Sequence, residues 1–95
     1  MRKYDVMYII RPNLESEGVK KIIADFNGIF TNHNSKILEL KEIGLKDLAY
    51  EINHFTKGYY VQLLVEATPE AVAEFNRVVR ITEDIVRYIV VKEGE

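Results

Sequence analysis

Apolar residues recur along this chain at a spacing that switches between two and about 3.6, and the order of those switches restricts the fold more than any single residue does. The first segment, Arg2–Arg11, carries Tyr4, Val6, Tyr8 and Ile10 at its even positions and is rich in β-branched and aromatic residues. It reads as a strand that buries those four and is stopped by Pro12 and Asn13. Met7 and Ile9 hold the odd positions, so the second face is apolar too, as in a strand that is covered or awaits a partner. Val19, Ile22, Ile23, Phe26, Ile29 and Phe30 then fall on a single helical stripe, with Lys20, Lys21, Asp25 and Asn27 off it. Asn13 or Ser16 is the expected N-cap, and Thr31–Ser35 forms a polar stop.

Period two returns at Lys36–Ile43, but Ile37, Leu38, Leu40 and Ile43 break strict alternation, which implies a bulge or a strong twist. The chain is expected to turn through Asn53–Gly58 and return as a third strand, Tyr59–Glu66, antiparallel to the second. Thr68-Pro69-Glu70 announces a second helix: a capping hydroxyl, a proline suited to the first turn, and an acid that complements the helix dipole. Val72, Phe75, Val78 and Val79 form its apolar stripe, Glu83-Asp84 the turn, and Ile85–Lys92 the last strand. The order is β-α-β-β-α-β. Right-handed crossovers then put both helices on one face of a four-stranded antiparallel sheet and leave the other face open. This is an α+β, ferredoxin-like layout, read as one domain over residues 1–95.

Chemistry is harder to find. The chain has no cysteine, which excludes disulfides and thiolate metal sites, and no apolar run longer than Val6–Ile10, far short of the roughly 20 residues of a spanning helix. The charged start Met1–Asp5 runs straight into the first strand and lacks the features of a signal peptide, which points to the cytoplasm. His33 and His54 have no third metal ligand set by spacing, and the pairs Glu39/Glu42 and Glu83/Asp84 lack the apolar surroundings that would raise a carboxyl pKa. The five glycines are scattered, so no phosphate loop exists. Acylphosphatases share this layout, but the loop after the first strand, Arg11–Glu17, is acidic and stiffened by proline. The expectation is a protein that is not an enzyme and uses no cofactor or metal.

The open sheet face says more. If the first and last strands are neighbours, Met7, Ile9, Ile89 and Val91 make an exposed apolar patch beside Arg87, the mark of an interaction surface. Tyr4, Tyr50, Tyr59 and Tyr60 are interleaved with Arg2, Lys46, Lys57 and Lys92, a pairing of rings and cations that suits unpaired bases and phosphates. Tyr4 and Tyr60 are also candidates for the core. The third strand lacks the aromatic, glycine-flanked signature of RNA-recognition domains. Thirteen basic residues against fifteen acidic ones leave a charge of −2, so binding to nucleic acid would need a local patch or a basic partner. A second reading is a homodimeric regulatory module of the same layout that binds a small metabolite.

The decapeptide Gly44-Leu45-Lys46-Asp47-Leu48-Ala49-Tyr50-Glu51-Ile52-Asn53 resembles the signature of the bacterial small-subunit ribosomal protein six family. The opening Met1–Val6, Arg11-Pro12-Asn13-Leu14, Lys57-Gly58-Tyr59-Tyr60 and the closing Ile85–Lys92 are similar to that family as well, so the likeness spans the whole chain. It differs in Asp47, where many relatives are basic, and in Glu51, where many have proline. The resemblance implies a structural component of the small ribosomal subunit that binds ribosomal RNA of the central domain, or platform, together with ribosomal protein eighteen, a basic partner in a heterodimer. It implies RNA contacts at Arg2, Tyr4, Lys46, Tyr50, Arg87 and Lys92, and partner contacts at Met7, Ile9, Leu48, Ile89 and Val91.

Overall fold

The structure, a computed structural model, describes residues 2–52 and 54–93. Asn53, which opens the expected turn, and the closing Gly94 and Glu95 lie outside the described residues. The elements are β1 (Arg2–Ile10), α1 (Ser16–Thr31), β2 (Lys36–Ile52), β3 (Phe55–Ala67), α2 (Pro69–Ile81) and β4 (Ile85–Lys92). They form one antiparallel sheet in the order β2-β3-β1-β4, the ferredoxin-like arrangement expected from the alternation of periods.

The core lies between the helices and one sheet face. Val6, Tyr8 and Ile10 of β1 and Val61, Leu63 and Val65 of β3 meet Val19, Ile22, Ile23, Phe26 and Phe30 of α1 and Ala71, Phe75 and Val79 of α2. Phe75 sits at its centre, edge-on to Phe26 at 5.4 Å and stacked on Phe30 at 5.3 Å between ring centroids. Such pairs add to the stabilisation that burial alone provides. Helix α2 starts as its sequence requires: Thr68 is the N-cap and its hydroxyl accepts from Ala71 N–H at 3.2 Å.

Helix α1 does not start as expected. Its N-cap is Glu15, with no side-chain hydrogen bond. Neither Asn13 nor Ser16 caps it, because Asn13 is turned back to accept from Arg11 Nη1 at 2.8 Å and Ser16 is already helical. The larger departure is β2, which runs 17 residues to Ile52 and does not end at Ile43. The expected irregularity is present as register shifts against β3 at Ile37/Glu39 and Glu42/Gly44, and a third follows at Asp47/Ile52. Gly44, at φ +101°, supplies a backbone conformation that only glycine adopts without strain, so the strand bends there and continues. The turn of the hairpin is correspondingly shorter than Asn53–Gly58, since β3 begins at Phe55.

Tyr8 is fully buried, 4.9 Å from Phe26 in an edge contact, and its hydroxyl has no hydrogen-bond partner among the described residues. Burial, and secondarily the Glu42 carboxylate, push its ionisation well above the ordinary value of 10.0. The folded pKa is the higher one, so the neutral phenol's contribution is intact below pH 10 and is lost as pH rises beyond it, by about 1.4 kcal/mol per pH unit. Tyr8→Phe should therefore be at least as stable as the parent at neutral pH and unfold less steeply above pH 10. Equal alkaline slopes in denaturant titrations of the two proteins would refute this.

Candidate functional site

Pairing of β1 with both β3 and β4 builds the open face row by row. Met7 stands between Gln62 and Ile89, Asp5 between Leu64 and Val91, and Ile9 between Tyr60 and Arg87. Ile89 and Val91 are each 50% exposed, and Met7 is half-buried. Beside Met7 and Ile89 runs a shallow, mostly apolar trough of about 180 Å³ lined by Met7, Ile9, Arg87, Tyr88 and Ile89. Ile9 corrects the expected patch: it is 8% exposed, part of the floor of this face and not an outward contact.

What covers Ile9 is the chain's own hairpin. Arg87 on β4 and Gly44 on β2 are separated by β1 and β3, a span of about 14 Å at ordinary strand spacing. Yet Tyr50, six residues beyond Gly44, accepts a hydrogen bond from Arg87 Nη1, and its ring centroid lies 5.8 Å from the guanidinium carbon. The extension of β2 and β3 beyond Gly44 therefore bends across the open face. Gly58 fits against Ile9 only because it lacks a side chain, since a Cβ there would lie 2.2 Å from Ile9 Cγ2. Leu48 packs into the same corner, its Cδ2 3.5 Å from that position, and is half-buried. The structure thus joins Tyr50 and Arg87, two of the expected RNA-binding residues, and sets Leu48 partly inward.

The other expected cations do not converge on them. Lys92 pairs with Tyr4 near the far end of β1, and Arg2 lies two residues further along that strand. The Tyr4 and Ile9 rows are about 17 Å apart along the sheet. Lys46, opposite Gly58, is exposed on the bent hairpin, where Lys57 lies 3.9 Å from Asp47. Tyr4 is half-buried and packs on the core. Tyr60 belongs to the open face, whereas Tyr59 packs on the core and donates to Glu42 at 3.0 Å. The corner between the two cation groups is acidic, formed by Asp5, Glu39 and Glu93 beside Lys41 and Gln62. A hydrogen bond shared with Asp5 holds the Glu93 carboxyl above the usual carboxylate range.

Several of the remaining candidates for chemistry are tied up in structure. Asp84 bonds Arg11 Nε at 2.5 Å and also accepts, through its carbonyl, from Arg11 N–H at 2.8 Å, which fixes the two loops at that end of the sheet. Glu39 lies 3.8 Å from Lys41, and His33 Nδ1 is 2.7 Å from the Ile29 carbonyl. Among the described residues no three histidine or carboxylate groups converge on a possible metal position. Sequence reasoning did not find the exposed edge of β2, where Leu38, Leu40, Ile43 and Leu45 stay 36–56% accessible. The broken alternation of that strand was the signal, because a bulge turns neighbouring side chains to unexpected sides.

Comparison with known proteins gives a consistent identity. Residues 3–92 match the family model for ribosomal protein S6. The chain is 58% identical to small ribosomal subunit protein bS6 of Acholeplasma laidlawii over 95 residues, all of both chains. It is 54% identical to its counterpart in Phytoplasma australiense, over 98% of this chain and all of that one. For Halalkalibacterium halodurans the identity is 50%, over all of both. The crystal structure of 30S ribosomal protein S6 from Thermotoga maritima superposes with a TM-score of 0.92 at 26% identity, over 97% of this chain and 87% of that one. With the sheet order and the full-length match in agreement, this chain belongs to the ribosomal protein S6 family, structural proteins of the small ribosomal subunit and not a family of enzymes.

Proposed function

We propose that the protein binds small-subunit ribosomal RNA of the central domain jointly with ribosomal protein eighteen, and so helps to hold the platform of the subunit in its folded form. Its family gives it a home on the cytoplasmic ribosome, and among the described residues no helix is long and apolar enough to cross a membrane. The observation that carries the proposal is the open face, where an apolar strip of Met7, Ile89 and Val91 lies beside Arg87, with Arg2 and Lys92 at the opposite end of the sheet in register with the core-facing Ala67 and Tyr4. An apolar strip flanked by charge suits a protein partner at the centre and phosphates at the margins. Arg2 and Lys92 contact phosphate at one end, Lys46 and Arg87 at the other, and the partner supplies the positive charge that a net −2 chain lacks.

Binding to a central-domain RNA fragment should be tight only with both proteins present. Tight binding by this chain alone would remove the need for a partner, and no binding under either condition would break the proposal. Within the complex, Arg2→Ala or Lys92→Ala should lower the slope of log affinity against log salt by about one per lost contact. Unchanged slopes in both variants would withdraw those two assignments.

A further inference from the structure

Arg87 carries a long, rotamer-rich side chain on the outward face of an edge strand, where a guanidinium would normally sample many positions. Here it is held. Its Nη1 donates to the Tyr50 hydroxyl, and the same ring lies 5.8 Å from the guanidinium carbon. The residue that holds it comes from the far edge of the sheet, brought over by the bend at Gly44 and seated by Gly58 on Ile9. A guanidinium has five donors, and one bond to Tyr50 leaves the rest of the planar fork free to grip a phosphate. Tyr50 is 60% exposed, so its contact with Arg87 does little to bury apolar surface.

We infer that Tyr50 is a positioning residue: it acts on RNA affinity through Arg87, by fixing the guanidinium before the phosphate arrives, and does not itself stack on a base. This rests on the phosphate contact proposed above for Arg87. The bent hairpin is then the device that carries Tyr50 to Arg87, and preorganisation lowers the ordering cost that binding would otherwise incur.

The test is a double-mutant cycle on binding of a central-domain RNA fragment by the chain together with ribosomal protein eighteen, read as affinity and as salt slope. Tyr50→Ala should weaken binding about three- to tenfold with an unchanged slope, because no charge is lost. Arg87→Ala should weaken it and lower the slope by about one. In the Arg87→Ala background, Tyr50→Ala should have no further effect. Tyr50→Phe, which keeps the ring beside the cation but removes the hydroxyl that accepts from Nη1, should recover only part of the loss, and this separates positioning from a general disturbance of the hairpin. Equal losses from Tyr50→Ala with and without Arg87 would show direct contact with RNA and overturn the inference, as would wild-type affinity for Tyr50→Ala. Wild-type affinity and slope for Arg87→Ala would remove the phosphate contact itself, and the positioning role with it.

Discussion

Ile89→Glu is expected to lower affinity for ribosomal protein eighteen by at least about thirtyfold while the domain stays folded. The two halves of this expectation have different origins. Ile89 is 50% exposed and projects from an edge strand away from the helices, so a carboxylate there meets water and removes little from the core. The cost to folding is the β-propensity difference between isoleucine and glutamate, about 1 kcal/mol or less. In a complex that covers the Met7–Ile89 row, the same carboxylate must be stripped of water with no cation of this chain's trough beyond Arg87 to receive it. A basic partner would attract an added negative charge at long range, so a control is needed. Ile81→Glu provides it: Ile81 is 68% exposed at the end of α2, on the helix side of the sheet. Titration calorimetry should show Ile81→Glu binding like the parent and Ile89→Glu failing to, with both melting cooperatively. Parent-like affinity for Ile89→Glu would mean that the apolar strip is not the interface.

How much of this was legible in the residues depends on where local rules and the global fold agree. The Thr68-Pro69-Glu70 start of α2, the apolar stripe of α1 and the turn before β4 all follow from side chains acting on their own backbone, and each stands where its sequence puts it. The cap of α1 did not, because Arg11, needed by Asp84 across 73 residues, also takes the side chain of Asn13. A competition of that kind is invisible until the loops are side by side. The second strand was cut short for a related reason. Gly44 reads locally as a terminator, whereas in the sheet it is the residue that lets a long strand bend and go on. Everything built on the bend was therefore out of reach: the cover over Ile9, the inward turn of Leu48, and the meeting of Tyr50 with Arg87. Residue types pointed to Tyr50 and Arg87 singly; only the crossing over β3 and β1 shows that they form one unit.

The bend also sets the largest stability effect expected from a single added methyl group. Gly58→Ala would place a Cβ 2.2 Å from Ile9 Cγ2, well inside contact distance. Ile9 cannot turn this methyl away cheaply, because it branches at Cβ on a strand paired on both sides by Tyr60 and Arg87. Either β1 shifts or the hairpin lifts from the face, and overpacking of this kind costs about 1–3 kcal/mol. For a domain of this size that lowers the melting temperature by about 10 °C. Ile9→Ala removes the offending methyl and is destabilising alone, since Ile9 is 8% exposed. Combined with Gly58→Ala it should cost less than the sum of the two, by about 1 kcal/mol or more, as the alanine at 58 fills space the isoleucine vacates. Strict additivity in urea titrations, or a Gly58→Ala protein as stable as the parent, would mean that the hairpin is not seated on Ile9. A lifted hairpin would also carry Tyr50 off Arg87, so Gly58→Ala should reproduce the RNA-affinity loss of Tyr50→Ala without touching either residue.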